Sequence, residues 1–281
     1  MVDYKPKGTM TTIHGRTTYV ARPSNNEQPK GIIIIIPDAF GLQDDFPNNK
    51  HLADTYASRG SFLVYLPDFM DGRVVASWAV DIFPELTAKA TWSDYLYKPY
   101  YFSLAIYAVF SFVRYNPFNK AWPRVSSFFE SVRENESKEM NLPIGAAGFC
   151  WGGQHTFKLA SGVKSEKTGK VMCDAHFTAH PSRVQVPDDV KKVTMPISVA
   201  AAGKDFVMSI EQAREVEAIL REKIEKEGLK DSEVVYYESA GHGFAVRADP
   251  KNKEVVKDAE AAVDQAVHFF NKVFSQWNGP R

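Results

Sequence analysis

The residue pattern is that of an α/β domain, a mostly parallel central sheet flanked by helices. Three observations predict it. Short apolar runs alternate with longer stretches of helical periodicity along most of the chain. The run Gly31-Ile32-Ile33-Ile34-Ile35-Ile36 has no polar face, which is how a strand covered on both sides reads. Proline closes this run at Pro37 and the next one at Pro67.

Taken in order, residues 9–13 and 16–21 alternate around His14-Gly15 and predict a hairpin. After the isoleucine strand, residues 46–58 read as a helix stopped by Gly60, and residues 62–66 as the second buried strand. A strand over 142–147 and a helix over 154–162 flank a glycine-rich turn. Further strands are expected at 174–179, 196–202 and 233–237, with an amphipathic helix at 209–227. The last helix, 253–274, sets Val256, Ala259, Val263, Val267, Phe270 and Phe274 on one face. The six buried strands and the absence of any repeat make 1–281 a single domain.

Residues 71–138 break the rhythm. They carry Trp78, Trp92 and Trp122 and three tyrosines between Tyr95 and Tyr100, and are expected to form an aromatic-rich helical insertion, either a lid over the site or a homodimer contact. Within them residues 100–113 are uncharged, but 14 residues fall short of the ~20 that span a bilayer, so membrane association is not expected.

Composition excludes several classes. Thirty-four basic and 34 acidic residues leave no net charge, against a nucleic-acid-binding surface. Two cysteines, Cys150 and Cys173, make no disulfide framework and point to a reducing compartment. Without an apolar leader at the start or an address signal at the end, the expected location is cytoplasmic. His176 and His180 lie four apart on an expected strand, not on a metal-binding helix, so neither a metal nor any other cofactor is expected. Cys173 reads as core.

The chemistry centres on Gly148-Phe149-Cys150-Trp151-Gly152-Gly153. Strand, sharp turn and helix are the context of a nucleophile elbow, here with cysteine at the tip. The turn aims a helix N-terminus at the sulfur, which favours thiolate. A cysteine nucleophile needs a base, and the base an orienting group. Asp205 follows the 196–202 strand and His242 follows the 233–237 strand, in the order nucleophile, acid, histidine. Asp205 could instead cap the 209–227 helix. The oxyanion donors expected are the backbone N–H groups of Trp151 and of Ala39, on the loop after the isoleucine strand. Phe40 on that loop and His180 at a strand exit are candidates for contacting substrate.

These motifs, with Pro37-Asp38-Ala39-Phe40-Gly41-Leu42, Leu66-Pro67-Asp68, Gly203-Lys204-Asp205 and Gly241-His242-Gly243-Phe244, resemble the dienelactone hydrolases of the α/β-hydrolase fold from about residue 30 onward. The resemblance implies a Cys-His-Asp triad cleaving small lactones or esters through a thioester acyl-enzyme. It implies a thiol-modulating carboxylate at Asp38, where glutamate is more usual, and a substrate-carboxylate arginine for which Arg247 is the nearest match. The aromatic stretch from Trp78 to Trp122 is closer to fungal members and implies a larger, less polar substrate. The alternatives are a thioesterase or cyclase auxiliary to a biosynthetic pathway, and a non-catalytic binding protein of the same fold.

Overall fold

The computed structural model describes residues 4–24, 27–80 and 94–280, and the side chains of 94–97 are not described. Trp92, with the rest of residues 81–93, therefore lies outside the described residues.

Eight strands form one sheet in the order β1-β2-β4-β3-β5-β6-β7-β8. The hairpin β1 (Thr9–Ile13) and β2 (Arg16–Ala21) occupies one edge, and β2 pairs antiparallel with β4 (Leu63–Pro67). From β4 onward the sheet is parallel, through β3 (Ile32–Ile36), β5 (Ile144–Phe149), β6 (Ala175–Ala179), β7 (Ile197–Lys204) and β8 (Glu233–Gly241). Strand order reverses direction at β3 and β5. The crevice at their C-terminal ends is where ligands sit in open α/β sheets.

The isoleucine run divides its side chains between two cores. Ile33 and Ile35 join Leu52, Ala53 and Tyr56 of α1 (Asn48–Gly60) and Phe269, Phe270 and Phe274 of the last helix, α9 (Lys253–Ser275). Ile32, Ile34 and Ile36 join Val125, Phe128, Phe129 and Val132 of α3 (Phe118–Glu134). On that second face α5 (Gly152–Ala160) and α7 (Ile210–Glu227) cover the remaining strands. Between them in sequence lie α2 (Asp94–Tyr115), α4 (Glu136–Met140) and α6 (Asp188–Lys191), and α8 (Phe244–Arg247) follows β8.

Several expected boundaries shift. Residues 142–143 precede β5, which runs on to Phe149, and α5 begins at Gly152 directly after the elbow. In α9 the buried residues are Ala262, Ala266, Phe269, Phe270 and Phe274, so the expected Phe270 and Phe274 are inward while Ala259, Val263 and Val267 are only partly covered. Small alanines facing the sheet let the helix approach it closely. Helix α1 ends at Gly60, but the left-handed residue after it is Ser61, at φ 55°.

Helix α3 is pinned to the sheet by a buried ion pair. Arg133 Nη2 donates to Asp174 Oδ2 at 2.6 Å, and the same oxygen accepts the Ile144 N–H at 2.8 Å. Among the described residues no helix is long and apolar enough to cross a membrane.

Candidate active site

Cys150 stands at the switch point, one residue beyond β5 and beside the loop that leaves β3, with Ile36 paired to Gly148. Its backbone is left-handed at φ 48°, a conformation that costs a non-glycine residue energy and turns the side chain out of the sheet. Crowding dictates the flanking glycines. A Cβ on Gly152 would lie 2.0 Å from the Ile36 carbonyl oxygen, and one on Gly148 2.0 Å from Thr156 Oγ1. The turn is held by hydrogen bonds from the Gly153 N–H (3.0 Å) and the Ser182 N–H (2.9 Å) to the Cys150 carbonyl.

His242 Nε2 lies 3.1 Å from Cys150 Sγ. Its Nδ1 is 2.9 Å from both carboxylate oxygens of Asp205, fixing the ring with Nδ1 protonated and Nε2 facing the sulfur. Asp205 and His242 directly follow β7 and β8, whose terminal pairing of Lys204 with Gly241 sets them side by side. Asp205 Oδ1 also accepts the Val207 N–H at 2.7 Å, while the α7 cap is a Ser209–Gln212 capping box. Asp205 thus serves the loop and His242 rather than the helix end.

The electrostatics favour a charge-separated pair. Burial opposes ionisation of Cys150, but the hydrogen bond and charge of His242 outweigh it and hold the thiol below its ordinary pKa; the negative charge of Asp38 pulls the other way. Burial likewise opposes charging of His242, yet its bonds to Asp205 and Cys150 push it up to about 9. The pairing therefore shifts both groups toward the charge-separated form, thiolate and imidazolium.

Asp38 is fully buried. Its Oδ1 accepts from Asn49 Nδ2 at 2.9 Å and from the Phe40 N–H at 3.1 Å, while Oδ2 has no hydrogen-bond partner and faces Arg247 Nε at 3.8 Å. Burial raises its pKa; Arg247, Asn49 and the Phe40 N–H partly compensate. The Arg247 guanidinium lies 5.5 Å from the centre of the Phe40 ring. Asp38, Phe40 and Arg247 thus form one cluster beside the triad. Ala39 is fixed in the same loop, its carbonyl accepting the Val75 N–H at 2.8 Å. Trp151 is buried, with its indole donating to the Asn116 carbonyl at 3.3 Å.

His180 is buried edge-on to His242, ring centres 5.2 Å apart, against Phe149 and Phe244, and neither ring nitrogen has a hydrogen-bond partner. Burial and the nearby positive charges hold its pKa well below the ordinary value, so it is a neutral wall behind the base. His176 Nδ1 bonds the Pro196 carbonyl at 3.0 Å from within β6. Four residues along a strand span ~13 Å, too far for these two histidines to share a metal. Cys173 is buried against the carbonyls of Ile144 and Ala175, and burial pushes its thiol up.

Two neighbours of the site escaped the sequence reading. Ser182 Oγ sits 3.6 Å from Cys150 Sγ, close enough for a weak hydrogen bond to sulfur. Its signal was its place two residues beyond His180, at the end of the strand next to β5. Phe206, 84% exposed, lies with its ring centre 5.3 Å from that of His242. An exposed phenylalanine straight after an acidic triad candidate was the available cue.

The likeness to known proteins spans the whole site. A profile of the dienelactone hydrolase family matches residues 17–274. The hydrolase tropI of the fungus Talaromyces stipitatus is 28% identical over 274 residues, covering 96% of this chain and 92% of that protein. The hydrolase pyvD of Aspergillus violaceofuscus is 26% identical, covering 95% and 90%. Among solved structures, a putative dienelactone hydrolase from Klebsiella pneumoniae superimposes with a TM-score of 0.58 at 17% identity, over 93% of each chain. With its mixed eight-stranded sheet, the chain belongs to the dienelactone hydrolase family, hydrolases of the α/β-hydrolase fold that act on ester and lactone bonds.

Proposed function

We propose that the protein hydrolyses esters or lactones with Cys150 as nucleophile, through a thioester acyl-enzyme. The observation that carries this reading is the unbroken line from Asp205 through His242 to Cys150 Sγ, with contacts of 2.9 and 3.1 Å, on a left-handed elbow.

The Cys150 thiolate attacks the substrate carbonyl, forming the carbon–sulfur bond as the carbonyl electrons move onto oxygen. That oxyanion is received by the backbone N–H groups of Ala39 and Trp151. The intermediate collapses with loss of the alkoxide, which takes the Nε2 proton of His242. In a lactone the alkoxide stays tethered as the ring opens. Water then gives a proton to His242 and attacks the thioester, and expulsion of the thiolate returns the enzyme to its starting ion pair. Asp205 keeps the imidazole oriented and stabilises its charged form throughout.

Asp38 tunes this cycle through its field on Cys150. When ionised it raises the thiol pKa, so a substrate that pairs with Arg247 or displaces Asp38 shifts the balance of the ion pair. Phe40, Phe206 and the wall at His180 suit an acyl or lactone portion with apolar surface, and Arg247 suits a carboxylate on it. The protein meets this substrate as a small molecule, and no cofactor enters any step.

Cys150→Ala tests the assignment with an activated aryl ester. Turnover should fall to the background rate, with no acyl adduct detectable by intact-protein mass spectrometry. Retention of wild-type kcat/KM in this variant would refute the nucleophile.

A further inference from the structure

Helix α2 is built inside out. A surface helix ordinarily turns its large apolar residues to the core and its charges to solvent. Here the inward stripe is Ala105, Ala108 and Phe112, while Tyr100, Phe102, Ile106, Tyr107, Val109 and Phe110 are 43–69% exposed. These six form one outward band, too large to be the scattered apolar residues any surface carries.

The charge around the band is one-sided. The chain as a whole has no net charge, yet residues 99–129, from the second turn of α2 through most of α3, contain three cations, Arg114, Lys120 and Arg124, and no carboxylate. Arg114 and Lys120 are exposed. Beside them an open depression of about 320 Å³ is lined by Arg73, Tyr115, Lys120 and Arg124, with Asp71 as its sole acid. That acid is already engaged, by Arg124 at 2.6 Å and Arg16 at 3.0 Å. Arg73 lies over the Tyr115 ring at 4.2 Å.

We propose that α2 docks the protein on an anionic phospholipid surface, lying in the plane of the interface. Phe102, Phe110 and Ile106 would enter the acyl boundary, Tyr100 and Tyr107 sit at headgroup depth, and the cations at the C-terminal end of α2 meet lipid phosphates. The exposed Arg114 and Lys120 at the end of the band match the phosphates of an anionic lipid surface, and this charge complement decides for lipid as the occupant. The helix also adjoins the catalytic mouth, because Phe112 meets the Trp151 ring edge-on at 6.2 Å. Docking would thus bring the site close to substrates dissolved in the lipid.

The test is flotation with vesicles of phosphatidylcholine alone and of phosphatidylcholine with about 30 mol % phosphatidylserine. Wild type should float with the anionic vesicles at low salt and be released at high salt. Arg114→Glu/Lys120→Glu should weaken partitioning by at least ~25-fold, about fivefold for each cation removed. Tyr107→Ser/Phe110→Ser should weaken it by at least ~10-fold. Both variants change exposed residues and should keep wild-type thermal stability and turnover of a water-soluble ester. Failure to float, or equal flotation with the neutral vesicles, would overturn the proposal. So would a wild-type dimer in light scattering that becomes a monomer in Tyr107→Ser/Phe110→Ser.

Discussion

The sharpest consequence of the site geometry concerns how the thiol reacts as pH falls. The rise of His242 from its ordinary 6.5 to about 9 corresponds to about 3 kcal/mol of preference for the imidazolium, earned from Asp205 and the thiolate. With the base near 9, His242 favours its charged form at pH 7. The thiolate it faces at 3.1 Å is stabilised by the same pairing. A free thiol loses about tenfold in alkylation rate for each pH unit below 8, or about 100-fold between pH 8 and 6. Wild-type Cys150 should lose less over that interval, because its pairing with His242 holds the thiol below its ordinary pKa. His242→Ala removes the partner but leaves the burial and the Asp38 charge that oppose ionisation, so the steep fall should return and the rate at pH 6 should drop at least ~10-fold. The assay is iodoacetamide inactivation followed by intact mass, which assigns the adduct to Cys150 rather than to the buried Cys173. A wild-type profile as steep as that of free cysteine would refute the ion pair. So would a His242→Ala profile that stays shallow.

Two further predictions follow from the same structure. If the His242 proton is needed by the departing alkoxide, kcat/KM for an alkyl ester should fall as pH rises through about 9, whereas that for an activated aryl ester, whose leaving group needs no proton, should not; coincident profiles would argue against His242 as general acid. Far from the site, Asp174→Ala leaves Arg133 charged, buried and without its carboxylate, and should cost about 3–5 kcal/mol, seen as a Tm lower by roughly 5–9 °C with kcat unchanged; a loss below about 1 kcal/mol would show the pair to be dispensable.

The fold was legible because its buried strands announce themselves. Five consecutive isoleucines have nowhere to put a polar face, and the structure accordingly splits them, two to the α1–α9 side and three to the α3 side. The helix ends were less legible because local chemistry misleads about them. Gly60 looked like a terminator, but the helix includes it and the left-handed turn falls to Ser61. Phe149 was read outside its strand, because the elbow continues β5 until the residue before Cys150. The α9 stripe keeps the expected Phe270 and Phe274 but takes Ala262, Ala266 and Phe269 in place of the partly covered valines. Phe270 packs where a Cβ on Gly145 would come within 2.6 Å of its ring, so a glycine in a distant strand makes room for it.

The three members of the site were legible for a different reason. Each sits immediately beyond a strand of the parallel part of the sheet, so their exits share one edge, and residues 92 apart in sequence come within 3.1 Å. That logic finds whatever is anchored to a strand end. It does not find groups positioned by packing between loops. Ser182 reaches Cys150 only because its own N–H is tied to the Cys150 carbonyl across two strand exits, a bond with no sequence pattern. Arg247 shows the same limit from the other side. Sequence spacing alone does not align it with a substrate-binding position, yet the single turn of α8 brings its Nε to 3.8 Å from Asp38. The position of that guanidinium follows from its contacts with Phe40 and Asp38 rather than from its distance along the chain to His242. The buried carboxylate gives the arginine a reason to point into the site, and the arginine offsets part of the burial that would otherwise keep Asp38 protonated. The field on Cys150 is therefore set jointly by two residues more than 200 positions apart.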